Sequence, residues 1–151
     1  GFLPEPALTV ASDFTRRGGY QAMQQLLEAP GGPPDGVFVA SDTMASGALQ
    51  ALRDANLRVP GDVAIVGFDG LEETLVSRPV LSTVVQPIVD EGREAVRALL
   101  ELMEHPERAP LQRVLPTHLV VRQSCGCMLS DADEQKGGVT RDALAGEAVP
   151  A

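Results

Sequence analysis

Two short runs of uninterrupted apolar residues, Gly36-Val37-Phe38-Val39-Ala40 and Val63-Ala64-Ile65-Val66-Gly67-Phe68, constrain the fold more than anything else in this chain. A strand with one face in water alternates apolar and polar residues. A strand without alternation belongs to a parallel sheet with helices on its faces. Between the two runs, Ala45, Ala48, Leu49, Leu52 and Ala55 recur at helical spacing and predict a helix over residues 43–56. Asp42 stands just ahead of it and is read as the helix cap, because its carboxylate can accept the unpaired amides of a first turn. Strand, helix, strand in this order predicts an α/β fold built on a parallel, doubly wound sheet.

The rest of the chain extends the pattern. Residues 8–11 read as a short apolar strand, and residues 18–28 as a helix with Tyr20, Met23, Leu26 and Leu27 on one face. Pro30-Gly31-Gly32-Pro33-Pro34 breaks that helix, since proline offers no backbone donor and glycine accepts left-handed turns. A polar loop over 70–79 leads to a strand at 82–85. A longer helix is predicted over 89–104, with Gly92, Ala95, Val96, Leu99 and Met103 forming a stripe that needs a partner surface. Residues 114–121 read as a last strand. From about Met128 no period is sustained, and the segment reads as a disordered tail.

Composition excludes several functions. The 151 residues suit one domain, and a net charge of -9, from 12 basic and 21 acidic residues, predicts repulsion from nucleic-acid phosphates and anionic lipid. No apolar run approaches the roughly 18 residues of a membrane span, and Gly1-Phe2-Leu3-Pro4-Glu5-Pro6 lacks the features of a signal peptide, so a cytoplasmic location is expected. The start at Gly1 predicts a longer gene product. Cys125 and Cys127 supply only two of the four ligands of a structural zinc, with neither His105 nor His118 at a suitable spacing, and read as a pair of thiols near solvent. No Gly-x-Ser-x-Gly elbow, Walker loop or His-Glu-x-x-His helix is present, so no enzyme, metal or cofactor is expected. Glu72 and Glu73 read as solvated loop charges.

Several short motifs then occur in a telling order. Phe14-Thr15, Gly18-Gly19-Tyr20, Ser41-Asp42-Thr43-Met44-Ala45-Ser46-Gly47-Ala48, Val59-Pro60-Gly61-Asp62-Val63, Gly67-Phe68-Asp69, Ser82-Thr83-Val84-Val85-Gln86-Pro87 and Leu119-Val120-Val121-Arg122 follow one another over residues 5–127. In that order they resemble the C-terminal part of the effector-binding core of LacI/GalR transcriptional regulators. The resemblance implies a periplasmic-binding-protein-like type I fold that lacks the DNA-binding headpiece, the first lobe and the first strand-helix unit of the second. It implies an incomplete effector lobe over 1–86, a crossover and helix of the missing lobe over 87–113 and a return strand over 114–127. In the usual strand order, 2-1-3-4-5, the absent strand would lie between residues 8–11 and 36–40, so the first strand is expected to be displaced or to pair differently.

The same resemblance assigns site residues. Phe14 would stack its ring on the effector, Ser41 would hydrogen-bond it from the strand-helix junction, and Gln86 would face the cleft ahead of the stiff Pro87. Asp69 is the leading candidate: a carboxylate at the end of a buried strand can accept from two hydroxyls, or from an amine on a base, with its charge strengthening each bond. Arg16 and Arg17 are expected to be solvated residues before a helix. The implied partners are a small sugar or nucleobase effector, a second copy in a homodimer, and operator DNA through the headpiece alone. Two further readings stay open on the sequence: the sensor lobe of a diguanylate cyclase or histidine kinase, and the sugar-binding protein of a transporter.

Overall fold

The computed structural model describes residues 6–109 and 112–127. The tail expected over 128–151 lies outside the described residues. Among the described residues three helices and four strands follow one another: α1 (Arg16–Leu27), β1 (Gly36–Phe38), α2 (Asp42–Asp54), β2 (Ala64–Asp69), β3 (Ser82–Val85), α3 (Ile88–Glu104) and β4 (His118–Val120). Short 3-10 turns occupy Pro6–Leu8 and Glu72–Val76, the second within the segment expected to be loop. No helix among the described residues is long and apolar enough to cross a membrane.

The sheet has the order β1-β2-β3-β4. β1, β2 and β3 are parallel, with Val37 beside Ile65 and Phe68 beside Val84, as the apolar runs predict. β4 runs antiparallel to β3, Leu119 opposite Val84. It is shorter than the 114–121 expected, because Pro116 has no amide to give a ladder and pairing starts beyond it.

α1 and α2 pack against each other on one face of the sheet and form most of the core. Met23, Leu52, Val63, Ile65 and Leu81 are buried there almost completely, each burial contributing roughly 1.5–3 kcal/mol before entropy is subtracted. α1 starts at Arg16, two residues before the predicted start, so Arg16 and Arg17 lie exposed in its first turn rather than ahead of it. Thr15 caps it, its hydroxyl accepting from Gly18 N–H at 2.9 Å. At the α1–α2 crossing Gly47 is required: a Cβ there would collide with the Arg16 carbonyl and the Tyr20 amide. On the opposite face of the sheet, Phe38 and Phe68 meet edge to face with centroids 6.3 Å apart, and Phe38 stays 63% exposed.

One expectation fails here. Residues 8–11 form no strand; they stand across an apolar groove of about 610 Å³ from β1, lined by Leu8, Val10, Phe14, Met23, Val37 and Phe38 among others. A strand needs a ladder partner, and among the described residues none stands next to this segment. The apolar stripe of α3 finds no cover among the described residues, for the helix buries none of its residues, as expected of a helix whose lobe is absent.

Candidate functional site

In a parallel sheet the carboxyl ends of the strands open onto one edge, where the following loops and helix N-termini gather. Ser41 follows β1, Asp69 ends β2 and Gln86 follows β3, so three of the four candidates share that edge. Two are bonded directly: Gln86 Nε2 donates to Asp69 Oδ1 at 2.8 Å, and Gln86 N–H donates to the Asp69 carbonyl at 3.2 Å. Both residues are half-buried. Among the described residues no donor reaches Asp69 Oδ2, which leaves the second carboxylate oxygen open to a ligand hydroxyl.

Asp69 has φ +117°, a left-handed backbone that costs a non-glycine residue of order 1–3 kcal/mol. The strain turns the chain sharply out of β2, with Gly70 continuing at φ +83°. Phe14 also has a positive φ, +61°, and its ring is 63% exposed, which excludes the core role open to a phenylalanine in sequence. It lines the apolar groove beside β1.

Ser41 is 5% exposed and occupies the cap position of α2 in an extended conformation, φ -158° and ψ 141°. Its hydroxyl makes no cap bond and has no partner among the described residues. Asp42 is not the cap but the first residue of the helix. Its carboxylate, 2% exposed, turns inward. Oδ2 accepts from the amides of Gly70 and Leu71, both at 2.8 Å, and Oδ1 from the Thr83 hydroxyl at 2.7 Å. One side chain thereby ties the start of α2 to the turn after Asp69 and to β3. Gly67 makes this possible, since a Cβ there would overlap the Asp42 carboxylate. Sequence reasoning missed this crosslink, whose only signal was a glycine inside an otherwise branched apolar strand.

The return segment also carries unforeseen structure. Ser124, fully buried, accepts from Ser82 N–H at 2.8 Å and donates to the Ile65 carbonyl at 2.7 Å. Arg122 reaches the Leu81 carbonyl at 2.8 Å and the Thr74 hydroxyl at 3.0 Å. Both bonds hold the 3-10 turn and β3 against the chain that follows β4. A separate cavity is the apolar groove beside β1. It contains no charged side chain and touches the candidate set only through Phe14.

An α/β lobe with polar groups at the carboxyl edge of a parallel sheet defines a binding-protein architecture. The chain belongs to the family described as "Periplasmic binding protein-like domain", whose model matches residues 1–125. Its relatives are LacI-type regulators. It is 41% identical over 124 residues to the HTH-type transcriptional repressor MelR of Bacillus subtilis, an alignment covering 82% of this chain and 36% of that protein. Among solved structures, the transcriptional regulator CelR–cellobiose complex is 40% identical with a TM-score of 0.75, covering 81% of this chain and 37% of the other. A LacI family regulator from Enterococcus faecium with bound ribose is 31% identical with a TM-score of 0.65, covering 75% and 41%. The chain thus spans little more than a third of the length of the curated relatives it matches. By name, MelR is a transcriptional repressor and the other two are transcriptional regulators.

Proposed function

We propose that this chain is the effector-sensing part of a LacI-type transcriptional regulator, and that it binds a small sugar or related metabolite through Asp69, with Gln86, Ser41 and Phe14 around it. The observation that carries the reading is the Asp69–Gln86 pair. A strained residue at a strand end holds a carboxylate in place through one oxygen and leaves the other free, the arrangement that adjacent sugar hydroxyls require. Ser41 adds a hydroxyl without a partner among the described residues, and Phe14 an exposed ring for the apolar face of a sugar. Support for the ligand class comes from relatives whose structures hold cellobiose and ribose.

In this reading residues 1–86 form the sensing lobe, 87–113 cross toward a second lobe, and 114–127 return. Effector held between the lobes favours one arrangement of them, and a dimer's headpieces gain or lose operator affinity by the difference in effector affinity between the two states. The test is a thermal-shift screen of the full-length regulator against pentoses, hexoses, disaccharides and nucleosides, since a ligand that binds only the folded state raises Tm. The sugar that raises it should lose most of its effect in Asp69→Ala. An unchanged shift in that variant overturns the site, and no shift with any of the four classes overturns the ligand assignment.

A further inference from the structure

The amino edge of the sheet, opposite Asp69, carries chemistry that effector binding does not use. After β4 the chain turns over residues 123–126: Gly126 N–H reaches the Gln123 carbonyl at 3.5 Å, and Gly126 has φ +78°, a conformation that suits glycine. The turn sets two free thiols two residues apart, Cys125 half-buried and Cys127 exposed.

Their surroundings differ. Cys125 is half-buried, with the fully buried Ser82 hydroxyl close to its sulfur and its own thiol 3.7 Å from the Arg122 carbonyl. Its neighbour Ser124 is locked into the sheet by bonds to Ser82 and Ile65, so one side of the pair is held rigidly. Cys127 is exposed, 3.8 Å from the Cys125 carbonyl. Burial pushes the Cys125 thiol up, but hydrogen bonds from the Ser82 hydroxyl, from the Cys127 backbone and thiol, and from the Arg122 backbone together bring it below the ordinary value. The Cys127 thiol is raised, first by its hydrogen bond to Cys125 and then by burial. The fixed sulfur therefore ionises more readily than the exposed one.

We propose that Cys125 and Cys127 form a reversible dithiol site for low-molecular-weight disulfides, with Cys125 as the attacking sulfur and Cys127 as the resolving one. The Cys125 thiolate attacks one sulfur of the disulfide RS–SR; a protein–S–SR bond forms and RS⁻ leaves, taking the proton of Cys127. The Cys127 thiolate then attacks the Cys125 sulfur, closes the bond between the two cysteines and expels the second RS⁻. That anion takes from solvent the proton released when Cys125 ionised. The protein is oxidised by two electrons and RS–SR is reduced to two RSH. Because the ring closes over a single glycine it is strained, and strained disulfides are readily reduced, so excess thiol reopens it.

The test exposes the reduced protein to glutathione disulfide and follows intact mass without reductant. The unmutated chain should lose the mass of two hydrogens and regain it in excess reduced glutathione. Cys127→Ser should stop at a mixed disulfide on Cys125. Limiting iodoacetamide on the unmutated protein, read by peptide mapping, should label Cys125 at least about tenfold faster than Cys127, because the thiolate is the nucleophile. Faster labelling of Cys127, or oxidation that gives only mixed disulfides and interchain dimers, overturns the proposal. The labelling order holds this outcome open even where a serine variant fails to fold.

Discussion

The residues at the carboxyl edge divide between those that bear strain and those that relieve it. Asp69 bears it, with φ +117° in a region that glycine occupies freely. Replacing it by glycine removes a strain of order 1–3 kcal/mol and loses one charge-assisted bond of similar size, so Asp69→Gly should leave unfolding stability within about 1 kcal/mol of the parent while abolishing the effector-induced thermal shift. A matched loss of both would mean that Asp69 serves the fold, not the ligand. Asp42 does the opposite work. Its removal leaves two amides and a hydroxyl unpaired in a buried turn, and Asp42→Ala should lose at least about 3 kcal/mol in urea unfolding, with Asp42→Asn losing less. At the surface, Asp62 is held down to about 2, first by the Arg58 side chain and then by its amide. A depressed carboxylate adds stability above its unfolded value that disappears as pH falls through the folded one, so Asp62→Asn should flatten the acid side of the stability profile between about pH 4 and 2. The place of Asp69 at the carboxyl edge was legible in sequence because it ends an apolar run, and Gln86 was drawn there by the resemblance alone. The role of Asp42 was not, because a carboxylate that caps its own helix and one that reaches across to residues 70–71 and 83 leave the same local sequence.

At the level of elements, legibility follows how local the determining contacts are. α1, α2, β2 and β3 lie close to where period and breakers placed them, since the period of a helix and the length of an apolar run are properties of a few neighbouring residues. The direction of β4 is not such a property. It depends on the chain returning past β3 after α3, and on Ser124 and Arg122 bonding to residues some forty positions away. Residues 8–11 have a strand's composition without a strand's neighbour, and composition cannot pair a backbone. The α1–α2 crossing rests on an absent side chain: Gly47 lets the backbone of α1 approach at Arg16 and Tyr20. Gly47→Ala adds helix propensity but forces two packed helices apart. It should cost about 1–3 kcal/mol in denaturant unfolding, where an exposed glycine-to-alanine change in a helix would gain stability. A neutral or stabilising result would show that the crossing can widen without loss.

For the molecule as a whole, the surfaces left open are as informative as the site. β1 is bonded on one side only: the alternation fixed by Val39 N–H to the Val66 carbonyl and by Ala64 N–H to the Asp35 carbonyl turns the backbone of Gly36 and Phe38 toward the groove, where no described residue pairs with it. α3 adds a second open surface, with Val89, Val96, Leu99 and Met103 each more than half exposed. An unpaired strand edge invites another strand, and a continuous apolar helix face invites a second surface. The isolated 151-residue chain should therefore associate as concentration rises, visible in sedimentation velocity as a growing fast-moving fraction. The two surfaces can be separated by substitution. Val96→Lys with Met103→Lys should suppress association through α3 and leave that through β1, whereas Phe38→Lys, a charge at the sheet edge, should do the reverse. The α3 pair lies away from Asp69 and should leave effector binding by the full-length regulator intact unless the regulator depends on that face to hold its lobes together, whereas Phe38 packs on Phe68 next to Asp69 and is read by association alone. A single slow species at every concentration would mean that these surfaces are covered within the chain itself, and the sheet would then have a fifth strand or the helix a partner.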